Sequence, residues 1–350
     1  FIAGILCYFI ALFAKESAIT FIVVIPLFYY FFTKAEKGKY FRTASAMAVC
    51  TIIFLLIRKK VLGNVETLIP VEDNSLAGIK DLFVQKANAI YILGVYLKLM
   101  VYPLPLISDG SYNHFPLIGL TNWKFLVPAI LYSGAAIFAI RGFKKRDTFS
   151  FAILYFFATA SIVSNVIILI GTNYGERLMF VPSLGFCLVV AILISTLLKA
   201  SSADKLFTDL KPFALENSKP LIAVAIIVIL FGIQTTARNA DWKSDFTLYS
   251  DGIKKVPDSA HMLFYYANNI TSEESLAALP DDSARNKTRR EAIDYLTKSV
   301  AIFPKYTDGY QRRGFIYCQM GNFVPAENDY KTALLYNPTH PIVYNNYGTL

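Results

Sequence analysis

Residues 151–170 and 179–198 are two apolar runs joined by Gly-Thr-Asn-Tyr-Gly-Glu-Arg at 171–177. A helix that crosses a bilayer needs roughly 20 largely apolar residues, and each run supplies that length. The pair reads as a helical hairpin whose tight polar turn sits at one membrane face. That turn carries Glu176 and Arg177, flanked by Tyr174 and stopped by Pro182. Ionisable groups at the mouth of two spans are costly, so the turn is either a structural ion pair or a site that uses its charges.

The rest of the first 238 residues repeats the apolar theme. Residues 1–13 and 17–32 form two short spans that meet at a charged break, Lys15-Glu16. Neighbouring helical positions do not face each other, so Lys15 and Glu16 each need a partner elsewhere or water. A span follows at 43–57, then a polar connection over 58–83, an amphiphilic helix over 84–102 ended by Pro103 and Pro105, and spans at 124–140 and 220–237. With 55% hydrophobic and 17% charged residues, this is the composition of a polytopic membrane protein. The net charge of +9 lies mostly in short loops between apolar runs, where it sets topology and is no argument for nucleic-acid binding.

Basic loops at 33–42, 141–147 and 199–219 define one face by the positive-inside rule. The opposite, outer face then receives Lys15-Glu16, residues 58–123, Glu176-Arg177 and everything after 238. This parity requires 84–102 to lie along the membrane or re-enter it. The expected organisation is a membrane domain over 1–238 with about seven spans, a linker over 239–258, and a second domain over 259–350.

That second domain is periodic. Pro304 and Pro338, Tyr310 and Tyr344, and Gly314 and Gly348 are each 34 residues apart, the period of the tetratricopeptide repeat. Tyr310, Gly314, Tyr317, Ala326, Tyr330, Ala333 and Pro338 fall on its pattern positions, the small residues allowing close helix approach and the aromatics filling the space between. An earlier copy over 259–304 keeps Ala292, Leu296 and Pro304 and carries about a dozen extra residues around 271–288. Such arrays present a concave face suited to an extended peptide. Gln311, Asn345 and Asn346 are the amides placed to bond a peptide backbone there. The fold class is therefore all-α, a transmembrane helical bundle followed by an α-solenoid.

Other chemistry is sparse. Cys7, Cys50 and Cys187 lie inside apolar runs and Cys318 in a repeat helix, a pattern of packing and not of disulfides. Three scattered histidines without ligand spacing suggest no metal site. There is no phosphate-binding glycine loop and no nucleophile elbow, and no cofactor is implied. Asp73, Asp109 and His114 sit in the outer loops; each alone is either solvated or part of a site.

In their order along the chain, Leu12–Phe21, the segments at 58–75 and 102–118, Gly175–Cys187 and the junction 238–270 resemble the transmembrane-and-tetratricopeptide (TMTC) O-mannosyltransferases of the GT-C superfamily. The resemblance implies a polyprenyl-phosphate sugar as donor, a Ser or Thr hydroxyl of a translocated protein as acceptor, and no bound cofactor. It places the membrane at the endoplasmic reticulum with lumenal repeats, or at a bacterial inner membrane with periplasmic ones. A lipid-linked phosphate leaves with growing negative charge, so Arg177 and Lys15 become the donor-phosphate candidates, with Glu176 and Glu16 holding those cations and Tyr174, Asp109 and Asp73 in support. The family's catalytic carboxylate is expected in a first outer loop preceding Phe1, so the chain reads as a fragment. The competing reading is a membrane-anchored repeat scaffold without catalysis.

Overall fold

The computed structural model describes residues 1–63, 69–201 and 210–350, and every structural statement refers to these. Lys205 of the basic loop and residues 64–68 of the first polar connection lie outside them. The membrane part runs α1 (Ile2–Ala14), a 3₁₀ turn (Glu16–Thr20), α2 (Phe21–Phe32), α3 (Lys37–Leu62), α4 (Leu82–Val101), α5 (Trp123–Phe143), α6 (Thr148–Ala160), α7 (Phe180–Leu197), α8 (Leu210–Glu216) and α9 (Ser218–Asp241). The remainder is α10 (Asp245–Lys255), α11 (Ala260–Ile270), α12 (Glu273–Ala277), α13 (Asp282–Ile302), α14 (Thr307–Gln319), α15 (Phe323–Tyr336) and α16 (Pro341–Gly348). The fold is helical throughout the described residues, a membrane bundle followed by helical repeats.

Four helices are long and apolar enough to cross a membrane: α3, α5, α7 with the 3₁₀ turn before it, and α9. Their apolar side chains are largely exposed, as on α9, where Ile222, Ile226, Ile229 and Leu230 point outward. A helix apolar all round and bare of protein neighbours is solvated by lipid. The chain is an integral membrane protein.

The central hairpin departs from expectation. A continuous span over 151–170 does not form: α6 stops at Ala160 after 13 residues, about 20 Å of helix. The link to α7 is therefore not a tight turn but an extended connection over 161–175. Asn165 is the cause. It adopts a left-handed conformation (φ 59°), accepts from Ile170 N at 2.9 Å and donates to Thr172 O at 3.0 Å. Its buried amide closes a polar loop inside an otherwise apolar run, where unpaired backbone groups would be expensive. Asn74 locks the loop from another segment, donating to Asn165 Oδ1 at 3.0 Å and Ile170 O at 2.7 Å.

Helices α6 and α7 approach closely at Gly185, where a Cβ would meet Ala152 O at 2.7 Å. Helix α2 runs antiparallel to α6, with Phe28 and Phe31 against Phe151. At the basic end, Arg146 donates to Thr33 O at 3.3 Å and covers the Tyr30 ring at 4.9 Å. That contact gathers two of the three basic loops.

The largest core among the described residues adjoins α5 of this bundle. It joins Ile92, Leu93 and Tyr96 of α4 to Leu76, Ile107, Phe115 and Tyr174 of the loops, and to Val256 and Met262 beyond α9. Helix α4 (82–101) thus packs against loops and the start of the repeats and also against α5, where Tyr132 donates to Leu93 O at 2.9 Å and Gly94 meets Pro128. In the repeats, Gly314 admits Tyr330 of α15, and Ala326, Tyr330 and Ala333 are fully buried. Helix α16 starts at Pro341, 34 residues after Thr307 starts α14, so the sequence period is also a structural one.

Candidate functional site

The loop layer between the bundle and the repeats collects most of the charged residues singled out in the sequence. Its floor is the head of α7. Tyr174 is buried and stacks on Tyr96 at 4.9 Å, nearly parallel. The Tyr96 hydroxyl accepts from Gly175 N at 2.8 Å and lies 3.2 Å from Gly175 O, to which it donates. Two backbone groups of the extended Gly175 are satisfied by one phenol, which fixes where the next two residues point.

Glu176 and Arg177 then diverge. Glu176 Oε1 accepts from Ile107 N at 2.5 Å, and the cations close enough to act on its charge are Arg238 and Lys255. The expectation that Glu176 holds Arg177 is corrected: on a 3₁₀ turn adjacent side chains diverge, and this carboxylate is taken by a loop amide. Arg177 is exposed and forms no ion pair or hydrogen bond among the described residues. Glu16 likewise does not hold Lys15. It pairs with Arg58 at 3.0 Å, and Lys15 is exposed and unpaired. The structure brings neither Lys15 nor Arg177 into contact with the other.

An apolar groove of about 510 Å³ lies between α2, α6 and α7, lined among others by Phe21, Val24, Phe28, Phe151, Leu184 and Leu188; neither cation is among its lining residues. Phe21, at the start of α2, and Val181, at the start of α7, pack into one cluster. Lys15 precedes the first by six positions and Arg177 precedes the second by four.

Asp73 and Asp109 do meet, through a residue that sequence reasoning missed. His261 of α11 places Nδ1 2.7 Å from Asp109 Oδ2 and Nε2 3.7 Å from Asp73 Oδ1. Asp109 Oδ1 also accepts from Ser111 N at 2.8 Å and from the Ser111 hydroxyl. Burial pushes the Asp109 carboxyl up, but the His261 contact and the two Ser111 donors outweigh it and hold the group below its ordinary value. Asp73 goes the other way: burial raises it, and Asp109 and Asp308 add to the effect against the opposing pull of His261. Glu72 is raised as well, chiefly by burial. Beside them Ala260 N donates to Tyr112 O at 2.8 Å, and Tyr112 meets Phe303 at 4.7 Å. These contacts, polar and aromatic, join the loops to the first repeat. His261 lies 152 positions from Asp109, and no spacing in the chain announces the pair.

A second network was also missed. Arg238, at the end of α9, is 7% exposed and donates to Asp241 at 2.7 Å and Asp251 at 2.6 Å, with Lys255 2.7 Å from Asp251. The amides proposed for peptide binding remain free of side-chain hydrogen bonds: Asn345 is exposed, and Gln311 and Asn346 are half-buried. No group of His, Cys, Asp and Glu among the described residues is placed to hold a metal.

Comparison with known proteins decides the relationship. The chain is 21% identical over 271 residues to the mouse protein O-mannosyl-transferase TMTC1, covering 75% of this chain and 26% of that protein. It is 25% identical over 207 residues to the Caenorhabditis elegans protein O-mannosyl-transferase F38B6.6, covering 58% and 27%. It is 20% identical over 288 residues to human TMTC3, covering 81% and 28%. The chain is TMTC-like. It spans about a quarter of the length of these curated relatives. No family model matches it, and no solved structure does.

Proposed function

We propose that this TMTC-like chain belongs to a membrane glycosyltransferase that moves a sugar, mannose by analogy with its relatives, from a polyprenyl-phosphate donor to Ser or Thr of a protein. The observation that carries this reading is the exposed guanidinium of Arg177, without a protein partner among the described residues, on the chain that leads into α7, whose Leu184 and Leu188 line the apolar groove. A polyprenyl tail is apolar and its phosphate is anionic, so one ligand would occupy both features. The acceptor hydroxyl attacks the anomeric carbon while the bond to the phosphate oxygen breaks. The hydroxyl proton passes to a base, and the leaving phosphate gains charge. A guanidinium is permanently charged and can take a phosphate bidentately, and Lys15, six positions before the groove residue Phe21, adds a point charge. The repeats, through Gln311, Asn345 and Asn346, hold the acceptor as an extended peptide.

The test is transfer by the full-length protein from polyprenyl-phosphate mannose to a protein acceptor. Arg177→Ala should lower turnover roughly a hundredfold, corresponding to ~3 kcal/mol of lost transition-state stabilisation, with expression and melting temperature intact. Arg177→Lys should recover part of this loss, since it keeps the charge without the fork. Normal turnover in a well-folded Arg177→Ala protein removes the residue from the site. Removal of residues 259–350 should abolish transfer to a whole-protein acceptor; unchanged transfer would show that the repeats do not recruit it.

A further inference from the structure

The first repeat departs from the 34-residue period by the insertion that carries α12, and that insertion walls a groove of about 550 Å³. Thr271, Glu273 and Leu276 line one side, and Arg289, Arg312 and Phe315 the other. Arg312 is fixed in place: Nη2 donates to Thr271 O at 2.9 Å and Thr271 Oγ1 at 3.0 Å, and the guanidinium lies 5.3 Å from the Phe315 ring centre. Its Nε is buried without an acceptor, and its Nη1 forms no hydrogen bond among the described residues. Arg289 spends Nη1 on Asn286 Oδ1 at 3.0 Å and also leaves a buried Nε unmatched. Neither arginine pairs with a carboxylate among the described residues. Burial pulls Arg312 below the ordinary arginine range, and no counter-ion offsets it. Buried donors without partners are rare in folded proteins and point to a missing acceptor.

We infer that this groove binds a carboxylate of an acidic, extended peptide, set between Arg289 and Arg312. Glu273 on the rim leaves the groove with one net positive charge, which suits a single carboxylate. A phosphate carries about −1.5 to −2 and would be repelled by Glu273. Phe315 and Leu276 offer apolar surface to the residue beside the acid, and the amides of Asn268 and Gln319 can bond its backbone. Gln311, Phe315 and Gln319 follow at intervals of four on α14, so the groove continues the face that carries Gln311. The inference rests on the reading of the repeats as an acceptor-holding module, and it adds the chemistry of what they hold.

Fluorescence anisotropy on the full chain in detergent micelles tests it, using three labelled peptides that differ at one central position: Glu, Gln or phosphoserine between leucines. The Glu peptide should bind at least about tenfold more tightly than the Gln peptide, as expected for a charge-assisted bond. Arg289→Gln and Arg312→Gln should each erase that difference. Arg289→Gln is the cleaner variant, since it removes only a bond to Asn286, whereas Arg312 also ties α14 to the end of α11. Gln311→Ala should weaken both peptides equally. Equal binding of Glu and Gln peptides overturns the inference and leaves the peptide reading standing. Discrimination that survives both arginine changes, or tighter binding of the phosphoserine peptide, also overturns it. Failure of all three peptides to bind overturns both readings.

Discussion

Arg177, just before the start of α7, and Arg238, in the last turn of α9, border the same loop layer, and their surroundings are opposite. Arg238 is buried, bonded to Asp241 and Asp251, with Lys255 completing the network. Arg177 is exposed and unpaired. The guanidinium at the junction of bundle and repeats is therefore part of the architecture, whereas the one at the α6–α7 connection has no protein partner among the described residues. A charged residue near a membrane face is thus not a site by virtue of its position alone; whether its charge is already balanced decides.

The largest expected effect is at Arg238. Replacing it with alanine leaves Asp241 and Asp251 with Lys255 as their one cation and should cost roughly 3 kcal/mol of stability, the low end for a broken buried pair, read as a large fall in melting temperature of the purified protein. A stable Arg238→Ala protein would erase the contrast. Arg177→Ala is its mirror: melting should not move and turnover should, as set out above. If Arg177→Ala melts early instead, the guanidinium is structural too.

His261→Ala sharpens the comparison at the third charged cluster. Asp109 would be left buried with only Ser111 as donor, and docking of α11 on the loops should weaken by about 1–3 kcal/mol. Limited proteolysis near residues 256–260 reads this directly; unchanged protection would mean that the Ala260–Tyr112 bond and the Val256 and Met262 packing hold the junction by themselves.

The smallest effect is a pH slope. Burial holds His114 below its ordinary value of 6.5, against the opposing pull of Asp109 and Asp258. The unfolded chain then binds the proton first. Stability should fall as pH drops below 6.5 toward the lowered folded value, by at most about 1.4 kcal/mol per pH unit for one proton. His114→Gln should flatten the melting temperature over that interval. A slope of the same sign that survives the substitution belongs to groups other than Asp73 and Glu72. The raised values of these two carboxyls act in the opposite sense and favour the fold on protonation, at pH values between their ordinary ones and the raised ones.

Much of this was legible in the chain. Apolar runs of span length and a 34-residue period are local patterns, and hydrocarbon and helix pairing leave few ways to satisfy them; the all-helical bundle and the helical repeats follow from the order of residues alone. The end of α6 at Ala160 did not follow. Residues 161–170 are apolar enough to pass as helix, and only the bonds that Asn165 accepts from Ile170 N and donates to Thr172 O, reinforced by Asn74 from another segment, bend them into a loop. The partners of the charges were equally invisible. Glu176 to Ile107, Glu16 to Arg58 and Asp109 to His261 join residues 42 to 152 positions apart, and hydrophobic periodicity carries no information about such pairs. Sequence by itself determined that the chain is an all-helical membrane protein with a helical bundle followed by helical repeats. Only the tertiary structure decided which charges are spent on one another and which are left over, because that depends on where distant loops come to rest.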